Sequence, residues 1–363
     1  MNAIVRFTDR AMSQLTRRGS ESTTTLTLVV LTVATFIAAS AILPGRFLTS
    51  RNLEGIALQL PEFALLAMAV MVAMLSGGID LSIVAVANLA GVSAALLFST
   101  EGWGAEAPGT VQLVGVVIVA LAIGALCGAV NALLIDKVGI SPILATLATM
   151  QIFTGIAVVL TRGTTVTGLP PVLSETGNLS VVGIPMLFLV FVVAFALLLI
   201  ILSRTATGLR IYLFGTNPVA ARYAGVRSFE VLLRTYVISG TFAALAGVII
   251  AARANSASAD YGSSYLLMAI LVVVLAGVNP DGGFGSAWSL LFALILLQVI
   301  SSALSLLGLP IFLTNFAWGV MLLAVMAIRY VIASPRRKRR RPAAPVPTAP
   351  EPVTATPERI GSR

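Results

Sequence analysis

Two aspartates, Asp80 and Asp281, stand in the most polar interruptions of an otherwise apolar chain: Leu75-Ser-Gly-Gly-Ile-Asp-Leu-Ser82 and Leu275-Ala-Gly-Val-Asn-Pro-Asp-Gly-Gly-Phe-Gly-Ser286. A carboxylate near the centre of a bilayer costs about 2.5–3.5 kcal/mol on insertion scales, so one placed there serves a function such as proton transfer. At a membrane boundary it caps the helix that follows instead. Capping is the expected role of each, Asp80 before 82–99 and Asp281 before 287–306; proton coupling is the alternative. Inside the apolar runs the main polar side chains are Asn88, Asn131, Gln151, Gln298 and Asn315. Gln59, Pro61 and Glu62 sit near the start of one run, where Pro is expected to break or kink the helix. Each amide can hold a solute hydroxyl or a neighbouring helix, the latter for about 1 kcal/mol, and helix contact is the expected role of any one of them.

Other chemistry is excluded by composition. There is no His, which removes His acid/base and His-ligated metal chemistry, and the single Cys127 permits neither an internal disulfide nor a Cys-rich cluster. No G-x-x-x-x-G-K-[ST] phosphate loop occurs. No span carries the paired carboxylates of a membrane-embedded enzyme, and no deep carboxylate is placed for ion coupling. The chain is expected to be neither an enzyme nor a holder of metal or cofactor.

The elements that position these residues are membrane helices. Of 363 residues, 58% are hydrophobic and 10% charged, with mean hydropathy +1.01. A soluble domain runs at roughly 45–50% apolar and about 25% charged, so this surface must meet lipid. A span needs about 20 mostly apolar residues. Ten stretches fit: 25–43, 55–76, 82–99, 111–135, 142–160, 184–203, 230–252, 265–278, 287–306 and 311–333. The first exceeds the core of a signal peptide and has no small-residue cleavage site after it, so it reads as a retained span. The expected fold is an all-α integral membrane protein of about ten transmembrane helices. Its organisation is an N-terminal tail at 1–24, a transmembrane domain at 25–333 with a long loop at 204–229, and a tail at 334–363.

Basic residues set the orientation. Of the 23 Lys and Arg, only Arg46, Arg51, Arg162 and Arg253 fall on one side, which leaves 19 on the other. Cytoplasmic segments collect Lys and Arg, so both tails are expected inside. The net charge of +9 follows the same pattern. The block Arg336 to Arg341 reads as a stop-transfer anchor that attracts anionic membrane lipid, at about 1 kcal/mol per basic residue, rather than as a nucleic-acid site. The Pro/Ala/Thr-rich stretch 342–363 is expected to be disordered.

Gly-rich backbone at membrane depth survives only where protein covers it or it lines a cavity. The two interruptions lie about 200 residues apart, and matched interruptions point to a transport pathway between repeats. Gly77, Gly78, Asp80, Ser82 and Asn88, with Asn279, Asp281, Gly282, Gly283 and Gly285, are the candidate pathway or gate residues. The bland alternative is two tight turns whose glycines supply positive φ. Ala120, Gly124, Gly128 and Ala132 form a small-residue stripe for close helix packing. In the 204–229 loop, Asn217-Pro218 predicts a helix start, Val219 to Ala224 a short helix, and Gly225 a left-handed stop. Its apolar side must bury on lipid or on a soluble partner.

In this order and over ten spans, three motifs resemble the permease subunit of ribose/simple-sugar ATP-binding-cassette importers. They are Gly77, Gly78, Ile79, Asp80, Leu81 and Ser82; then Gly215, Asn217, Pro218, Ala220, Ala221, Arg222 and Gly225; then Gly282, Gly283, Gly285 and Ser286. The resemblance runs from about residue 55 to 330. It implies a permease of the bacterial inner membrane that moves a sugar-like solute through a pore of two permease copies. Two cytoplasmic ATPase subunits drive it and a periplasmic solute-binding protein delivers the solute. The 218–225 helix would be the coupling helix, seated on the ATPase. Relatives often carry Glu where this chain has Val219, so either a charged contact is absent or the ATPase offers an apolar groove. An ion-driven secondary transporter, with Asp80 and Asp281 as coupling groups, is the competing reading.

Overall fold

The computed structural model describes residues 23–337, apart from 101 and 182. Arg6, Arg10, Arg17, Arg18 and the tail beyond residue 337, with most of the basic block, lie outside the described residues. Each of the ten expected runs is a helix. They are α1 (Thr23–Ile42), α2 (Ser50–Leu75), α3 (Ile83–Phe98), α4 (Gly109–Asp136) and α5 (Pro142–Thr161). Then come α7 (Met186–Arg204), α10 (Ser228–Ala254), α11 (Tyr265–Leu275), α12 (Ala287–Leu306) and α13 (Ile311–Arg337). Between α5 and α7 run a short helix, α6 (Pro171–Asn178), and a two-residue hairpin of β1 (Ser180–Val181) with β2 (Ile184–Pro185). The long loop holds α8 (Ala206–Thr216) and α9 (Pro218–Tyr223).

Local sequence accounts for several helix starts. Thr49 Oγ1 accepts from the Asn52 N–H at the head of α2, Thr205 caps α8, and Pro opens α5, α6 and α9, where its missing N–H is not needed. Two helices depart from expectation. α2 begins at Ser50 and runs unbroken through Pro61, because a membrane helix tolerates Pro where neighbouring protein covers the freed backbone groups. α11 has only 11 residues, about 16 Å of rise, roughly half the hydrocarbon core.

Successive spans alternate direction. The 76–82, 137–141, 204–229 and 276–286 connections therefore share one end of the bundle, the loop end, and the 43–49, 99–108, 162–185, 255–264 and 307–310 connections share the other. α2, α3 and α10 form the buried centre. The stripe on α4 packs on α10: a Cβ at Gly124 would collide with the Gly240 carbonyl, and one at Gly128 with the Tyr236 carbonyl. α1, α4, α5 and α7 turn side chains such as Ile37, Leu126, Val159 and Val193 outward, the surface that lipid requires.

Candidate coupling joint and translocation pathway

At the loop end the three sequence motifs touch, backbone to backbone. The Gly283 N–H donates to the Leu75 carbonyl at 2.9 Å. Gly215, in the last turn of α8, lies so close to that carbonyl that a Cβ would strike it. A Cβ on Gly282 would come within 2.7 Å of the Gly77 nitrogen and 2.9 Å of the Gly215 Cα, and Gly282 itself has φ +91°. Only glycine meets both demands. Asn279 closes its own turn by accepting from the Asp281 N–H, and the Tyr212 hydroxyl of α8 donates to the Gly285 carbonyl at 2.8 Å. So α8 is joined to the ends of α2 and α11 with no side chain between them at Gly215.

Behind this joint lies a buried polar network. Asp80 is 1% exposed. Its Oδ1 accepts from the Ser82 N–H at 3.0 Å and the Ser82 hydroxyl at 2.7 Å, and its Oδ2 from the Ser239 hydroxyl of α10 at 3.0 Å. Ser82 Oγ in turn accepts from Asn131 Nδ2, and Asn131 Oδ1 accepts from the Thr149 hydroxyl. This chain of bonds links the 76–82 connection with α10, α4 and α5. Burial pushes the Asp80 carboxyl above the usual carboxylate range, and the hydrogen bonds from Ser82 and Ser239 oppose that shift. The Tyr236 hydroxyl beneath Gly78 is buried without a hydrogen-bond partner, and a Cβ on Gly78 would sit 2.7 Å from it.

Neither aspartate caps a helix. The N-cap of α3 is Ser82 and that of α12 is Ser286. Asp80 closes a tight turn on Ser82, and Asp281 is exposed, held away from α12 by the four residues 282–285. Asn88 stands apart from the two turns. It donates to the Ala259 and Tyr261 carbonyls at 2.7 and 2.8 Å, although it lies only about 8 Å of helical rise into α3 from the loop end. The 255–264 connection therefore dips deep into the bundle from the opposite end, and protein donors satisfy its carbonyls there.

α9 projects at the loop end. Asn217 Oδ1 caps it through the Ala220 N–H at 3.0 Å, and Gly225 ends it at φ +81°, as the sequence predicts. Ala221 is buried, whereas Val219 is 60% and Tyr223 91% exposed. These two, one turn apart, make an unpartnered apolar face. Recesses of about 500 Å³, reaching Gly77 and Asp281, and about 440 Å³, lined by Arg210, Arg227 and Arg234, flank it.

Deeper in the bundle, beyond the joint, sequence reasoning missed a buried ion pair. Glu62 lies inside α2 and is 3% exposed, which corrects the expectation of spans without a deep carboxylate. α2 starts earlier than the hydropathy suggests, so Glu62 falls well within it. Its Oε1 pairs with Arg253 Nη1 at 3.0 Å and its Oε2 accepts from the Tyr265 hydroxyl at 2.7 Å. Nearby, Gln298 Nε2 donates to Gln59 Oε1 at 3.3 Å, and Asn315 Nδ2 to Ser264 Oγ at 3.3 Å. Gln59, Arg253, Ser264, Tyr265, Gln298 and Asn315, scattered through the sequence, thus line one cavity. The signal available in advance was their helical phase: Gln59 and Glu62 are three residues apart, on one face of α2.

The family model of the branched-chain amino acid transport system / permease component matches residues 52–326, a stretch that holds both Gly-rich turns and α9. Similar proteins include the autoinducer 2 import system permease protein LsrD of Photorhabdus laumondii, 30% identical over 262 residues, 70% of this chain and 76% of that protein. The proteins of the same name from Yersinia enterocolitica and Salmonella typhimurium are each 31% identical, with the same shares covered. No solved structure matches the chain significantly.

Proposed function

Because this chain belongs to the branched-chain amino acid transport system / permease component family, we propose that it is the permease subunit of an ATP-binding-cassette importer for a sugar or sugar-like solute. The protein is a multi-pass membrane protein, and the proposed site is the bacterial inner membrane with both tails and the loop end in the cytoplasm. α9 carries this reading. A six-residue helix whose Val219 and Tyr223 face outward from the bundle has its apolar side ready for a soluble partner, and an ATPase subunit is that partner. A second permease copy completes the pore, and a periplasmic solute-binding protein loads it.

The mechanism follows from the joint. When ATP binding draws the ATPases together, α9 moves with the surface on which it is seated. α8 transmits the movement through Gly215 to Leu75 and Gly283, because backbone pressed on backbone has no side-chain rotamer to absorb it. The ends of α2 and α11 shift, and the cytoplasmic side closes as the periplasmic side opens. Population of each state follows differential affinity for ATP and solute. The relatives named autoinducer 2 import system permease proteins support a sugar-like solute over an amino acid.

Uptake in vesicles that hold the whole transporter tests this. Uptake that stops when internal ATP is removed and persists with a proton ionophore is expected. Uptake that survives ATP removal and collapses with the ionophore contradicts it and moves the energy source to an ion gradient.

A further inference from the structure

The cavity between α2, α11, α12 and α13 carries chemistry that the gate motifs do not use. Its volume is about 250 Å³, below the roughly 300–1,000 Å³ of drug-sized sites, so it suits a small solute. Tyr265 and Gln298 line it, each about 15 Å of helical rise from the loop-end turns, near mid-membrane. A second cavity of about 200 Å³, lined by Asn52 and Ser302, shares Gln59 with it. The two make a stepped polar lane from the periplasmic end along α2 and α12.

We propose that this cavity is a solute-binding station within a single permease chain, selective for an uncharged polyhydroxylated solute. The proposal rests on the importer reading for its direction of use, and the geometry decides the solute class. The Gln59–Gln298 and Asn315–Ser264 bonds, at 3.3 Å each, lie beyond the usual 2.9–3.0 Å optimum, so a solute hydroxyl replaces them at little cost. An amide offers donor and acceptor together, which matches hydroxyl groups of either role. Trp318, 4% exposed, also lines the cavity and adds apolar surface for the carbon skeleton. Arg253, the charged residue in the cavity lining, is already paired with Glu62 behind it. That pairing offsets the guanidinium charge, so a carboxylate gains less here than at a free Arg. An ammonium is repelled by the lining Arg, and a neutral solute meets no net charge.

Cys127 is the single cysteine, so Cys127→Ala gives a thiol-free background for Ser301→Cys, which places one thiol on the cavity wall. The rate of labelling by a small water-soluble thiol reagent, added from outside to vesicles that hold the whole transporter, is measured with D-ribose, D-galactose, erythritol or myo-inositol, and with L-leucine or D-gluconate. At least one neutral polyol is expected to slow labelling about tenfold at about ten times its Kd, while L-leucine and D-gluconate leave the rate unchanged. A thiol that does not label, one that no polyol protects, or one that L-leucine or D-gluconate protects overturns the proposal. ATP-dependent uptake by the same vesicles is scored separately. Polyol protection without ATP dependence overturns only the importer reading, and ATP-driven uptake without protection overturns only the station.

Discussion

Gly215 abuts the carbonyl of Leu75, the same carbonyl that accepts from Gly283. One oxygen therefore gathers the end of α2, the last turn of α8 and the turn after α11. Gly215 needs no unusual φ; it is glycine because no Cβ fits. The contact is stiff, and it lies only three residues from the start of α9.

Gly215→Ala forces the joint apart. Overpacking of this kind typically costs about 1–3 kcal/mol, and here the obstacle is backbone that cannot rotate away. Uptake is expected to fall by about tenfold or more, with membrane insertion intact. Gly155→Ala on α5, where a Cβ meets open space, serves as the control and keeps full uptake. Equal uptake by the two variants would contradict transmission through Gly215.

Gly225 is a conformational rather than a packing glycine: a Cβ there meets nothing within 4 Å, but φ is +81°. A β-branched residue resists that region, whereas Asn visits it readily. Gly225→Val is expected to abolish uptake without loss of insertion, and Gly225→Asn to retain most of it. Wild-type uptake by the Val variant would remove α9 from the coupling path.

Tyr223 is exposed in the isolated chain and fits the profile of an aromatic anchor at an interface. Truncation of such an anchor costs about 2 kcal/mol or more, close to a thirtyfold loss of affinity. Tyr223→Ala is expected to weaken association with the ATPase by that factor and to leave the thermal stability of the purified permease unchanged. Loss of stability with unchanged association would reverse the assignment.

Asp80 gives a pH dependence of stability. Its folded pKa lies above the ordinary value because of burial, so the folded chain holds the proton more tightly than the unfolded chain. Stability is then greatest below about pH 4, the unfolded value, and falls as pH rises toward the folded pKa, by about 1.4 kcal/mol for each unit of upward shift. Asp80→Asn keeps an acceptor for Ser82 and a donor for Ser239 and removes the charge. Melting curves of that variant in detergent are expected to show higher stability at neutral pH and a flatter pH profile. A steeper profile would contradict the account.

The ten helices, α9 with its Asn217 cap and Gly225 stop, and the small-residue stripe on α4 were all legible in the sequence, because each rests on local signals: apolar run length, Pro and Asn at a helix start, four-residue spacing. The joint was legible only in part. Asp80 and the glycines of the two turns stand out in sequence, but their contact with Gly215 depends on how α2, α8 and α11 converge. Glu62 was misplaced because the polar first turns of α2 disguise where the helix begins. Its partners Arg253 and Tyr265 come from α10 and α11, about 200 residues away, and no local pattern announces such a pair.

The central claim, that an ATPase drives this chain through α9, is tested most directly by a photo-crosslinking side chain at Tyr223 in native membranes, with the adduct identified by mass spectrometry. An adduct with an ATP-binding-cassette ATPase, lost in the Gly225→Val background, is the predicted result. No ATPase adduct, together with uptake that needs no ATP, would contradict it.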